Sequence, residues 1–400
     1  MALFLVFLLA YIISQFFRAF LAVIAPNLIA ELGLTARDLA NMSAAWFAVF
    51  AFAQFPLGVA LDRFGPRRTV PAIMMGGVAG ALLFAAASGP LTCIVAMALI
   101  GLGCSPIYMG ALYYYGRTET PERFGFLSAN LLGIGSAGNL LATTPLALAA
   151  ATIGWRGTIA GIAALMLASA IVFLFLVRDP PPLPRGRNET SAARAVFDVM
   201  TLPRLWTLMP LLTLGYATVV VERGLWVGPY LAEVQKLAPI AMGNATLAMA
   251  IAMSVGALAY GALDRMFGRR KIFVAIGSTI TAAGFLILAL DPTPALASAV
   301  ATFALIGFAG LAHPLLFTHA RTFFPDHLLG RGITFANFLT IGGAGLVHFA
   351  SGIYVDGLQR AGLPAPEVYA ALHMAFATVI FAGVALYLTS PADPRKSRSL

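Results

Sequence analysis

Residues Gly58 to Arg68 read GVALDRFGPRR, and Gly261 to Lys271 read GALDRMFGRRK. Each stretch follows an apolar run, carries an Asp-Arg pair, turns at a glycine and ends in a basic cluster. An apolar run of about 20 residues is long enough to cross a bilayer, so each stretch suits a short loop joining two membrane helices. Asp62 and Asp264 stand 202 positions apart, and a repeated loop implies that the membrane unit around it is repeated too.

Outward from these loops, the composition agrees. Hydrophobic residues make up 60% of the 400 and charged residues 10%, against about 25% charged in soluble domains. Such a chain cannot cover itself with a polar surface. Twelve spans are expected, at 3–30, 38–62, 69–90, 91–116, 124–150 and 157–177, then 205–233, 239–263, 272–290, 294–320, 332–356 and 366–389. The junctions at Gly89-Pro90 and Asp291-Pro292 are short enough that each could hide a fused pair. Transmembrane β-strands would alternate polar and apolar residues, and that pattern is absent. The first run lacks a basic flank and continues to Ala25, so it reads as a retained helix, not a cleaved signal. The expected fold is an all-α membrane protein of twelve helices in two pseudo-symmetric six-helix bundles. Residues 1–178 and 205–390 form the bundles, 179–204 a polar cytoplasmic linker, and 391–400 a cytoplasmic tail.

A net charge of +9 would suggest nucleic acid if its placement were ignored. Loops after even-numbered spans, with the C-terminus, hold nineteen of the 25 Lys and Arg residues, whereas the opposite loops hold Arg37, Arg156, Lys236 and Arg360. The positive-inside rule then places both termini in the cytoplasm of a cell whose inner membrane holds the chain. Basicity here records topology and implies no nucleic-acid partner. Cys93 and Cys104 lie in or near spans three and four and read as small buried residues, with no disulfide framework.

Further landmarks repeat at a similar offset. SANLLGIGSAG from Ser128 matches FANFLTIGGAG from Phe335, LIGLGCSP from Leu99 matches LIGFAGLAHP from Leu305, Arg117 matches Arg321, and Arg18 matches Arg223. The loop signature G-x-x-x-D-R-x-G followed by basic residues resembles that of the major facilitator superfamily. Gly58, Asp62, Arg63, Gly65, Arg67 and Arg68 supply it, with a weaker second copy in Gly261, Asp264, Arg265, Gly268, Arg269 and Arg270. The resemblance covers essentially the whole chain. It implies that these twelve residues form a gate that latches the halves outward-open and releases as they rock, without touching substrate. It also implies a secondary transporter, with substrate near the midplane between the halves and lined by spans one, four, seven and ten.

Arg18 and Arg223 lie inside spans one and seven, at matching places, each followed by a proline within eight residues. A charge at membrane depth costs about 2.5 to 3.5 kcal/mol on insertion scales and so lines a cavity or finds a partner. Two guanidinium forks suit a carboxylate or phosphate. The competing reading is structural: Arg18 snorkels or pairs internally, and Arg223 is neutralised by Glu222 or a carbonyl. Glu222 is the leading proton-coupling residue, with His313 and His348 as further candidates. Tyr108, Tyr113, Tyr114, Trp226, His313 and His319 complete the candidate substrate wall.

Span four lacks the arginine, and span five the G-P-x-x-G-G-like run, of drug/proton antiporters, which argues against multidrug efflux. Met249 and Met253 stand four apart on span eight, and thioethers suit Cu(I), so a copper importer is the alternative substrate class. A non-transporting sensor or assembly factor is a third. No H-E-x-x-H, Walker or G-x-S-x-G element appears, so no enzyme, resident metal or cofactor is expected. The expected partners are a small-molecule substrate, the bilayer and a coupling proton, with the chain acting as a monomer.

Overall fold

Prolines and glycines cut the apolar runs into helices. The helices Pro66–Ala85, Pro90–Thr118, Pro121–Gly135 and Pro239–Phe267 each begin on a proline, where the missing N–H is one the helix would leave unpaired anyway. The first bend after a span closes with Gly33 in the left-handed region, and the next helix opens on a capping box. There Thr35 Oγ1 accepts from the Asp38 N–H at 3.1 Å, while Thr35 N donates to Asp38 Oδ2 at 2.9 Å.

The computed structural model describes residues 2–180, 202, 205–324 and 329–391. Most of the expected linker and the tail from residue 392 lie outside these residues. Ten helices are each long and apolar enough to cross a membrane. The bent pair Ala2–Phe16 and Leu21–Leu32 makes another span. Pro121–Gly135, Ala137–Leu141 and residues 144–153 make span five. Gly154, at φ 76°, ends that span inside Thr144–Leu176, and the remainder is span six. Taken so, the described residues are consistent with the expected twelve. Both suspect junctions separate two helices, Ala85 from Pro90 and Leu290 from Leu296.

Contacts divide the chain into two compact units, Met1–Gly186 with Leu237–Asn244, and Arg187–Lys236 with Ala245–Leu400. The first is built on spans two (Ala36–Phe64), three (Pro66–Ala85) and four (Pro90–Thr118), the second on span eight (Pro239–Phe267) from Ala245 onward and on spans nine (Arg270–Leu290), ten (Leu296–Arg321), eleven (Leu329–Arg360) and twelve (Ala365–Leu388). The duplication is visible in the packing. In the first unit Gly138 of span five lies against the carbonyl of Ile12 in span one. In the second, Gly343 of span eleven lies against the carbonyl of Thr213 in span seven. A methyl group at either glycine would run into that carbonyl, so the repeated glycine-rich motif lets two backbones meet where a side chain would hold them apart.

Candidate functional site

Span one does not pass straight through its unit. It breaks over Phe17–Phe20 and bends by 48° between its two halves. Arg18 sits in that break. Its guanidinium carbon lies 4.9 Å from the Phe50 ring centroid and 5.4 Å from that of Trp46, both on span two. Its Nε is buried without an acceptor, and no carboxylate pairs with it among the described residues. Along the same helix, Gln15 donates to the Tyr11 hydroxyl at 3.1 Å, and the Tyr11 ring lies 5.3 Å from that of Tyr108 on span four.

Span seven, Leu205–Glu233, is interrupted in the corresponding region. Glu222–Trp226 forms a π-helical turn between Tyr216–Val221 and Val227–Glu233. The cause lies three residues further on. Pro229 cannot donate to the Leu225 carbonyl and its ring would crowd it, and a widened turn relieves the clash. Arg223 stands in this turn, 7% exposed. Each matching arginine thus occupies an irregular stretch of backbone at membrane depth, which is tolerated only where it is buried in protein or lines a cavity.

Glu222 turns to His373 on span twelve. His373 Nε2 lies 3.3 Å from Glu222 Oε1, and both side chains are fully buried. The separation is ion-pair range, but the angles give neither carboxylate oxygen and neither imidazole nitrogen a hydrogen bond. Around the imidazole stand Phe285, stacked at 5.9 Å, Phe303 at 6.1 Å and Tyr230 at 5.7 Å between ring centroids. Sequence reasoning missed His373, because one histidine within an apolar helix gives no local sign of its partner.

The other candidates scatter. Tyr108 joins the Tyr11–Gln15 group. Tyr113 accepts from Arg117 Nη1 at 3.1 Å and interacts with Asp62, which places it beside the first signature loop. Tyr114 packs 5.8 Å from Phe7 in an aromatic cluster with Tyr115. Trp226 is buried and donates from Nε1 to Ser351 Oγ at 3.0 Å. His313 stacks on Tyr216 at 4.7 Å and 15°, with Nε2 3.3 Å from Thr340 Oγ1. It begins the helix His313–Arg321 after a break at Leu311–Ala312, and with Tyr216 it edges a small cavity within the second unit. His319 donates from Nε2 to the Pro391 carbonyl at 3.1 Å, which leaves Nδ1 to accept from the Tyr387 hydroxyl at 2.7 Å. His348 donates from Nδ1 to the Ala344 carbonyl at 2.7 Å. Met249 and Met253 close over Gly307, filling the contact between spans eight and ten.

The two signature loops are built alike within their units. Gly65, at φ 74°, turns the chain between spans two and three, and a Cβ there would strike the Asp179 carboxylate. That carboxylate accepts from the Arg67 N–H at 2.7 Å, and Arg67 Nε donates to the Leu174 carbonyl at 3.0 Å, near the end of span six. In the second unit Gly268, at φ 61°, makes the turn and Arg270 Nε pairs with Asp264 Oδ1 at 2.7 Å. Lys271 Nζ donates to the carbonyls of Leu388, at 2.7 Å, and Ser390, at 2.5 Å, at the end of span twelve. Each loop thus sends a cation to the C-terminal carbonyls of the last helix of its unit, where the helix dipole favours positive charge. Gly58 and Gly261 have open space around them.

The sequence pattern of the Major Facilitator Superfamily matches residues 7–340. The chain belongs to that superfamily. No curated protein matches it in sequence. Among solved structures it is similar to a bacterial homologue of the human lysosomal transporter Spinster in an inward-facing, occupied conformation (TM-score 0.78, 15% identity, 99% of this chain and 96% of that one). It is similar also to the nucleoside transporter NupG (TM-score 0.79, 14% identity, 96% and 99%) and to a D-xylose-proton symporter (TM-score 0.74, 15% identity, 95% and 97%). At these identities the likeness concerns the fold. Membership of the superfamily makes the chain a multi-pass membrane protein and a secondary transporter of a small molecule, and not an enzyme.

Proposed function

We propose that this transporter moves a small organic or inorganic anion across the inner membrane by alternating access, with both termini cytoplasmic and the chain working as a monomer. Arg18 and Arg223 are the anion-binding residues. The observation that carries this reading is Arg18: a guanidinium in a broken span, oriented by two aromatic faces, with a buried Nε that has no acceptor and no carboxylate beside it. A cation so placed is costly unless a ligand completes it, and the planar fork matches carboxylate or phosphate in a bidentate manner. Tyr11, Gln15 and Tyr108 supply neutral hydrogen-bonding groups on spans one and four of the same unit, and His313 with Tyr216 supplies them in the second unit.

The proton is the coupling ion, and Glu222 with His373 is where it binds. An acid and a base at ion-pair distance, fully buried among aromatic rings and held by no hydrogen bond, can exchange a proton as their surroundings change. The signature loops set the alternation rate. The copper reading loses its main support, because Met249 and Met253 are engaged in packing over Gly307.

The test is uptake into proteoliposomes of labelled phosphate, a dicarboxylate, a nucleoside and Cu(I), with and without an inward proton gradient. Accumulation of an anion that rises with the gradient supports the reading. Accumulation of only a neutral solute or the metal overturns it.

A further inference from the structure

The Glu222–His373 pair lies deep within the second unit. Glu222 is eleven residues before Glu233, the last residue of span seven. At about 1.5 Å per residue that is roughly 16 Å, half of a hydrocarbon core about 30 Å thick. A proton at that depth needs a route, and polar side chains occupy the intervening length. Glu233, at the helix end, interacts with the Tyr369 side chain on span twelve, and Lys236 is the cation beside it. Tyr369 is fully buried, also feels the charge of Glu222, and stands one helical turn before His373 on the same face. Between them Tyr230 lies 5.6 Å from the Tyr369 ring and 5.7 Å from the His373 ring. Its hydroxyl is buried, and the Gln235 side chain, just past the end of span seven, interacts with it.

We infer that Glu233, Tyr369 and Tyr230 form a proton-conducting file that runs between spans seven and twelve, inside the second unit, and loads the Glu222–His373 pair from the membrane face that carries Lys236. The groups that face the pair come from every helix packed on it. Span seven supplies Glu222 and Tyr230, and span twelve supplies Tyr369. Spans nine and ten bring the rings of Phe285 and Phe303 against the imidazole, and Gln235 and Asp291, at the ends of spans seven and nine, act on Tyr230. The file therefore has acidic groups at its mouth and at its inner end, phenols between, and apolar walls. Phenols can accept a proton on one lone pair while passing on their own, and a hydroxyl rotates to suit its neighbours. A proton entering here need not share the route of the anion held by Arg18.

This inference rests on proton binding at Glu222, and the experiment separates the two. The full-length protein, reconstituted in liposomes, is given a rapid pH step on one face while infrared difference spectra follow protonated carboxyl groups; no substrate is needed. The wild type should show a carboxyl band that is absent in Glu222→Gln and shifted in His373→Gln. In Tyr369→Phe, which removes only a hydroxyl, and in Glu233→Gln, the band should persist in amplitude but respond about tenfold more slowly. A band unchanged in Glu222→Gln overturns proton binding there. A Glu222 band whose rate is the same in Tyr369→Phe, Glu233→Gln and wild type leaves the binding site standing and overturns the file.

Discussion

Phe50→Leu isolates what holds Arg18 ready for an anion. The Phe50 ring is the nearer of the two platforms, 4.9 Å from the guanidinium, and the residue is 5% exposed, so leucine keeps the site apolar and removes chiefly the π face. A cation–π contact is worth about 0.5 to 1 kcal/mol at an exposed site and about 2 when desolvated. Arg18 is half-buried, which puts the loss near 1 kcal/mol. If the contact orients the fork before binding, that loss appears in affinity as a factor of about 5, since each 1.4 kcal/mol is tenfold. The measurement is isothermal titration of purified protein with whichever anion most raises its melting temperature in a panel of phosphate, organophosphates and dicarboxylates. Phe52→Leu serves as control, because Phe52 is two residues along the same helix and 64% exposed. Equal affinities for wild type, Phe50→Leu and Phe52→Leu would refute the role given to the aromatic platform.

Other substitutions address the frame around the site. Gly65→Ala forces a side chain into a left-handed turn and against Asp179, and should lower the melting temperature of the purified protein by several degrees; an unaltered melt would contradict the close approach. His319→Ala removes two hydrogen bonds at the end of span twelve and strands the Tyr387 hydroxyl, a loss of about 1 to 3 kcal/mol. Its melting temperature should fall while anion affinity holds, and lost affinity at full stability would place His319 in the site instead. Asp62→Asn should slow counterflow exchange more than it weakens binding; an unchanged turnover rate would count against the gate. Trp226→Phe removes the indole donor to the Ser351 hydroxyl and should cost about 1 kcal/mol of stability, read as a lower melting temperature.

The spans and the duplication were legible because both are written in composition: long apolar runs, loops cut by proline and glycine, and basic residues sorted by side. The glycine-rich stretches at Ser128 and Phe335 matched because the same helix contact is built twice, against Ile12 and against Thr213. What the sequence hid depends on direction. Tyr113 and Tyr114 are neighbours in the chain, yet one reaches the Arg117–Asp62 group and the other an aromatic cluster. His313 and His319 share one helix but serve a stacking pair and a helix-end tie respectively. A proline follows each of Arg18 and Arg223, but nothing in the sequence distinguishes the broken turn at one from the widened π turn at the other. His373 had no local signature at all, since its acid lies on a helix some 150 positions away.

The most direct test of anion transport through Arg18 is uptake of the labelled anion by proteoliposomes containing wild type, Arg18→Lys or Arg18→Ala at equal reconstituted amounts. A point charge in place of the fork should leave weak uptake, and alanine should reduce it to the level of protein-free liposomes while the protein still inserts. Uptake by Arg18→Ala equal to wild type would contradict the account.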